Sequence, residues 1–192
     1  MKSLFDILFF RNKHVCPWYC CFTFDNIFRK GFQNPYKILS GYLKVGDTVL
    51  DVGPGQGFFS IPMAKMVGEN GRVIAIDIQK KMLDILERRA QKENVADRIL
   101  FKLVSVTNYG INTEVDFALA FWMVHEVPDK KALLQSIYNS MKHGKQFLVA
   151  EPYLHVTNRM MEETVKTAQG VGFTLIDRPK IFFCRAALLW KD

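Results

Sequence analysis

The run Thr48-Val49-Leu50-Asp51-Val52-Gly53-Pro54-Gly55-Gln56-Gly57-Phe58-Phe59-Ser60 decides how the rest of the chain is read. Its first five residues are β-rich and mostly apolar, as a short buried strand requires. Three glycines at alternate positions follow and read as a turn. Residues 58–67 then read as a helix. Asp51 places a carboxylate at the end of the strand, beside that turn.

The same rhythm continues outward. Residues 72–77 form a second strand that ends in Asp77. Residues 80–93 are helical, with Met82, Ile85, Leu86 and Ala90 on one face. Residues 99–104 form a third strand. Residues 115–121 form a fourth, nearly all apolar, as expected for a parallel strand covered on both faces. Asp129 caps a helix through residue 141, closed by Lys142-His143-Gly144. A fifth strand spans 146–150, a helix spans 157–169, and closing strands lie at 173–177 and 181–189. Upstream, Asn34-Pro35 reads as an N-cap followed by proline at the first helical position, opening a short helix to about residue 43. Strands alternating with helices predict a doubly wound α/β sheet, with its ligand outside the carboxyl ends of the strands at the switch point.

At 192 residues the chain is expected to be one domain with a short extension. The extension is residues 1–33 and the α/β domain is 34–192. The first 32 residues carry seven of the 16 Phe, together with Trp18 and Tyr19, and show no strand alternation. They read as a helical, aromatic segment that packs on the main domain. No stretch reaches the roughly 18 uncharged apolar residues of a membrane span. The greasy start, Leu4 to Phe10, contains Asp6 and lacks a small-residue cleavage site, which argues against a signal peptide. A soluble, cytoplasmic protein is expected. The oligomeric state is not indicated.

The net charge is +7, without any basic run of five or more residues. No nucleic-acid partner is expected. A mildly basic surface accounts for the charge, and a basic mouth for an anionic substrate is the alternative. The four cysteines are Cys16, Cys20, Cys21 and Cys184. Their spacing completes no zinc site, so no metal is expected and the thiols should be reduced.

Two cofactor classes compete for the Gly-rich turn. A dinucleotide site wants G-x-G-x-x-G. Here the third glycine, Gly57, comes one residue early, and Phe58 takes the slot where glycine would let helix and strand pack closely. Asp51 would also repel a pyrophosphate and oppose the helix N-terminus that should bind it. A cationic cofactor reverses that sign. S-adenosylmethionine carries a sulfonium and an ammonium and no phosphate. Asp51 can face the ammonium, and the glycines let the backbone approach the ligand. Asp77, 20 residues after Gly57, can accept both ribose hydroxyls. Asp77 alone does not separate the cofactors, because NAD enzymes place an acid similarly. The combination favours S-adenosylmethionine over an NAD-dependent oxidoreductase.

Residues 49–60 resemble the first motif of class I S-adenosylmethionine-dependent methyltransferases. Gly71-Arg72-Val73-Ile74-Ala75-Ile76-Asp77-Ile78 resembles the second. The resemblance runs from about Asn34 to the C-terminus, and is nearest to the small-molecule branch with quinone-biosynthesis and arsenite methyltransferases. It implies a mostly parallel seven-stranded sheet with an antiparallel last strand. It also implies contacts from Gly53, Gly55 and Gly57 to the methionine end, and from Asp77 to the ribose. Relatives often follow the third strand with Gly-Asp-Ala, whose Asp meets adenine. This chain has Val104-Ser105-Val106 there. Ser105 and the Val106 N–H are the candidate adenine contacts. Ile78 and Met82 are candidate walls of the adenine pocket, Met82 reading equally well as helix core. Phe121, at the end of strand four, is a further candidate cofactor contact.

Strand four runs into Phe121-Trp122-Met123-Val124-His125-Glu126-Val127-Pro128, which faces the methyl group in that fold. It lacks the Asn- or Asp-Pro-Pro-aromatic tetrapeptide of amino-methylating nucleic-acid enzymes. His125 is the nearby side chain that titrates near neutrality, and so the candidate general base. Bracing the loop is the equal alternative, because methyl transfer needs alignment more than acid–base work. Trp18, Tyr19, Trp122 and His125 are the candidate substrate contacts, the aromatic N-terminal segment serving as a lid. Patching the sheet edge is the competing role for those rings. Cys16, Cys20 and Cys21 raise a metalloid option, although they lack the dispersed spacing of arsenite enzymes. A small, partly apolar acceptor is the reading for an enzyme. A regulatory protein that binds the cofactor without turnover is the alternative.

Overall fold

The computed structural model describes residues 31–192. Its elements, in chain order, are α1 (Pro35–Leu39), β1 (Thr48–Val52), α2 (Ser60–Val67), β2 (Arg72–Asp77), α3 (Lys80–Lys92), β3 (Ile99–Leu103), β4 (Val115–Phe121), α4 (Lys130–Ser140), β5 (Met141–Pro152), α5 (Asn158–Gly170), β6 (Phe173–Asp177) and β7 (Cys184–Lys191). They form a seven-stranded sheet in the order β3-β2-β1-β4-β5-β7-β6. The first five strands are parallel to their neighbours, and β7 runs antiparallel between β5 and β6. The expected doubly wound sheet with an antiparallel last strand is therefore present. The expected helical extension lies largely outside the described residues.

Period-two alternation decides which helices cover which face. In β4, Phe117, Leu119 and Phe121 join the core beneath α1, α2 and α3, with Met63, Val67, Leu86 and Ala90. Ala118 and Ala120 join the opposite core with Leu133, Leu134 and Ile137 of α4 and Met161 and Val165 of α5. Both faces of the central strands are thereby sealed, which explains their continuous apolar runs.

Several expected boundaries shift, each for a local reason. Asn34 caps α1 as expected, its Oδ1 accepting from the Tyr36 and Lys37 N–H groups, but the helix ends at Leu39 rather than near residue 43. Helix α2 begins at Ser60 rather than residue 58, because the turn after β1 continues through Phe59. The stretch Lys142-His143-Gly144 does not close α4. It belongs to β5, which starts at Met141 paired with Val115. A register shift follows between Val115 and Phe117, and Asp116 at that shift holds both Lys142 and Lys145. Strand β7 starts at Cys184, not residue 181, because Ile181 and Cys184 close a turn through Phe183, whose φ is +62°.

Strand order reverses between β1 and β4, so the chain leaves their carboxyl ends in opposite directions. The crevice that opens there receives Asp51 from β1, Gly53 from the turn after it, Asp77 from β2, Phe121 from β4 and Pro152 from β5.

Candidate functional site

The turn after β1 is built by glycines with different tasks. All three have positive φ: +66° at Gly53, +55° at Gly55 and +92° at Gly57. A β-carbon on Gly55 would meet nothing within 4 Å, so this glycine leaves the turn's backbone open on that side. Gly57 is different. A β-carbon there would lie 2.2 Å from Leu86 Cδ1 on α3, and Gly57 is absent from the cavity wall that holds Gly53 and Gly55. The glycine that lets helix and turn pack closely is therefore Gly57 itself, one residue before the slot that Phe58 occupies.

Two buried acids face the crevice. Asp51 is 2% exposed and accepts a hydrogen bond from the Ser60 hydroxyl at 2.5 Å. Burial pushes its carboxyl up to about 7, opposed by the Ser60 bond and reinforced by the Asp77 charge. Burial likewise pushes Asp77 up to about 6, against the backbone donors of Gln79 and Ile78. The Gln79 N–H reaches Asp77 Oδ1 at 2.8 Å. Two desolvated carboxyls with raised pKa favour a ligand that brings positive charge or hydroxyl donors.

Asp51, Gly53, Gly55, Asp77, Ile78, Met82, Val106, Phe121, Trp122 and His125 all line one cavity of about 250 Å³. Ser105 does not. Its hydroxyl lies 3.1 Å from Thr107 Oγ1 and accepts from the Asn108 N–H at 3.0 Å, so it shapes its own turn. Val104, Val106 and Tyr109 form the wall there instead. The Gln56 amide nitrogen and the Tyr109 hydroxyl are both buried and have no hydrogen-bond partner among the described residues. Both residues line the cavity, so each presents polar capacity that a ligand can satisfy. Gln56 was legible as part of the turn motif. Tyr109 carried no sequence signal, because a loop after β3 brings it back to the wall.

The opposite wall is aromatic. Phe121 packs on Phe59 with ring centroids 4.3 Å apart. Trp122 holds φ at +62°, which is strained for a bulky residue. Two bonds hold it there. Its N–H donates to Ala150 O at 2.7 Å, and its indole donates to the buried Cys184 Sγ at 3.1 Å. His125 lies beyond it, with Nδ1 2.5 Å from Glu151 Oε2 and its backbone N–H donating to Glu151 Oε1 at 3.2 Å. His155 stacks on the His125 ring, with centroids 5.9 Å apart. Glu151 and His155 were missed by sequence reading. The signal available for Glu151 was an acid ending an apolar strand, as at Asp51 and Asp77.

Exposed apolar side chains rim the mouth. Leu154 and Phe183 belong to the cavity wall, and Phe182 sits beside Phe183. Phe32 stacks on Phe182 at 5.0 Å, and the Gln33 amide donates to Phe182 O and Cys184 Sγ. The chain therefore enters the domain at this rim. Trp18, Tyr19, Cys16, Cys20 and Cys21 lie outside the described residues.

The donor set fits S-adenosylmethionine. It combines acids for a cationic end and a ribose, an open glycine backbone, apolar walls and two unpartnered polar atoms. Comparisons with known proteins agree. A family described as a methyltransferase domain matches residues 43–181. A demethylmenaquinone methyltransferase of Lactobacillus johnsonii is 30% identical over 119 residues, covering 62% of this chain and 47% of that protein. The arsenite methyltransferase of Mus musculus is 27% identical over 191 residues, covering 85% of this chain and 51% of that protein. The chain thus spans about half the length of these curated relatives. A crystal structure of a SAM-dependent methyltransferase from Aquifex aeolicus superposes with a TM-score of 0.80 at 22% identity, covering 91% of this chain and 98% of that one.

Proposed function

Because the chain belongs to the methyltransferase-domain family, we propose that it transfers the methyl group of S-adenosylmethionine to a small, partly apolar molecule, in the cytoplasm. The observation that carries this reading is one cavity that joins the acids at the ends of β1 and β2 to the aromatic wall at the ends of β4 and β5. Asp51 faces the cationic end of the cofactor, Asp77 takes the ribose hydroxyls, and Gly53 and Gly55 form the floor. Ile78, Met82 and Val106 flank the base, with Tyr109 and Gln56 offering hydrogen bonds. Ser105 acts there only by shaping the loop.

When bound, S-adenosylmethionine supplies a methyl carbon on a positively charged sulfur, already activated toward in-line displacement. The chain's own residues align the acceptor and exclude water, a contribution that can supply most of the rate. Trp122 and Phe121 form the apolar wall, and His125 is the proton acceptor at its edge. A lid role for residues 1–33 is part of this proposal; of these only residues 31–33 are described, and Phe32 stacks on Phe182 at the rim. No basic run favours a nucleic-acid acceptor. Among the described residues, Cys184 is held by Trp122 and Gln33 and is not part of the cavity wall, so it is not offered as a ligand for a metalloid acceptor.

The test has two arms. Calorimetry with S-adenosylmethionine and with NADH should show binding of the first alone. A metabolite-pool screen should then release S-adenosylhomocysteine. Binding without release from any pool would identify a regulatory cofactor-binding protein instead.

A further inference from the structure

The carboxyl end of β5 carries a side-chain arrangement that cofactor binding does not require. Glu151 is 1% exposed, and both its carboxylate oxygens point at one residue: Oε1 accepts the His125 backbone N–H and Oε2 meets Nδ1. A buried carboxylate spent twice on a single histidine fixes that ring's position and tautomer, with the proton on Nδ1. The nitrogen left for a ligand is Nε2. It lies 3.9 Å from Glu126 Oε1, beyond hydrogen-bond distance. His125 is part of the cavity wall, together with Trp122 and Met123.

Resting on the methyltransferase reading above, we infer that Glu151 is a positioning residue that makes His125 Nε2 a proton acceptor, and that the acceptor substrate is a phenol-like hydroxyl compound. A hydroxyl must lose its proton as its oxygen forms the new carbon–oxygen bond, whereas a tertiary amine or thioether acceptor has no proton to give up. The oxygen lone pair forms the bond to the methyl carbon, the broken carbon–sulfur pair stays on sulfur, and the hydroxyl proton passes to Nε2. One positive charge leaves the sulfur and one appears on the imidazole, where the Glu151 carboxylate already waits. The aromatic wall of Phe121 and Trp122 suits an aromatic ring on the acceptor.

Among the described residues, the charged and titratable groups facing His125 are Glu151 from β5, Glu126 from its own turn, Lys130 from the start of α4 and His155 from the loop after β5. Burial and Lys130 disfavour the imidazolium. The Glu151 hydrogen bond and charge, with Glu126, favour it more, so His125 sits above the ordinary histidine range. It is thus a stronger base than a free imidazole, and it becomes available as pH rises.

The experiment uses the full chain, S-adenosylmethionine, a panel of simple phenols and catechols, and release of S-adenosylhomocysteine. Turnover should rise with pH through the His125 titration, read independently by NMR on the cofactor-free protein. Glu151→Gln should lower that titration midpoint by about 1–3 pH units, as expected on losing an adjacent opposite charge. It should move the inflection in turnover with it. His125→Gln should lower turnover by about 10²–10⁴-fold and abolish the inflection, with cofactor affinity kept. If Glu151→Gln does not fold, the wild-type titration and the His125→Gln profile decide. A fall in turnover with rising pH would make the pair an anion clamp and overturn the inference. So would an unmoved His125 titration in a folded Glu151→Gln, or no turnover of any phenol by protein that binds S-adenosylmethionine. Loss of cofactor binding in the wild type would instead sink the methyltransferase reading itself.

Discussion

Gly57 and Leu86 touch so closely that a single added carbon cannot fit between them: a β-carbon on Gly57 would stand 2.2 Å from Leu86 Cδ1. The turn after β1 is thus pinned onto α3, the helix that follows the acid-bearing strand β2. Gly57→Ala is expected to destabilise the fold by about 1–3 kcal/mol through overpacking, with added strain from its φ of +92°. At roughly 2–4 °C per kcal/mol for a chain of this size, thermal melting resolves the change. Cofactor affinity of the folded fraction should stay within a few-fold. A large affinity loss with unchanged melting would return Gly57 to the ligand.

In the proposed arrangement Asp77 makes a charge-assisted contact to the ribose, which Asp77→Ala removes. Binding of S-adenosylmethionine should weaken by about 1.5–3 kcal/mol, or roughly 10- to 150-fold. Calorimetry measures it directly. Unchanged affinity would remove Asp77 from the site.

The raised carboxyls couple binding to pH. Burial pushes Asp51 and Asp77 up to about 7 and about 6. The folded protein therefore holds protons that its unfolded chain releases near about pH 4. These two groups thus lower stability progressively as pH rises from about 4 to about 7. A cationic ligand prefers the ionised carboxyls, so its affinity should increase over the same upper range, with proton release. The melting shift produced by S-adenosylmethionine should be larger at about pH 8 than at about pH 5.5, and Asp51→Asn should flatten the difference. Equal shifts at both values would separate Asp51 from the cationic end.

Deleting residues 1–32 removes the stacking of Phe32 on Phe182 at the rim of the cavity. The remaining domain should fold and bind S-adenosylmethionine, lose methyl transfer, and aggregate more readily through the exposed apolar surface. Melting of the truncated chain with and without cofactor tests this. Outright unfolding would make the segment part of the core, and full activity would dismiss it as a cover.

The order of strands and helices was legible because burial on both faces leaves long apolar runs, as in Val115 to Phe121, and because Gly53, Gly55 and Gly57 punctuate the chain between them. Asp51 and Asp77 were legible for a related reason: a carboxylate at the end of a buried strand contradicts its surroundings and signals a ligand. Boundaries were less so. Residues 142–144 look like a helix stop in isolation, but ladder pairing of Met141 with Val115 and the hold of Asp116 on two lysines draw them into a strand.

What the sequence determined by itself was the fold class and the acid-and-glycine end of the site, because both rest on neighbours within a few positions along the chain. Only the tertiary structure could divide labour among the glycines, turn Ser105 away from the cavity and bring Tyr109 into it. It alone could set Glu151 against His125 across 26 positions. Those relationships depend on which strand ends the sheet order places side by side, and no local pattern of residues records that distance.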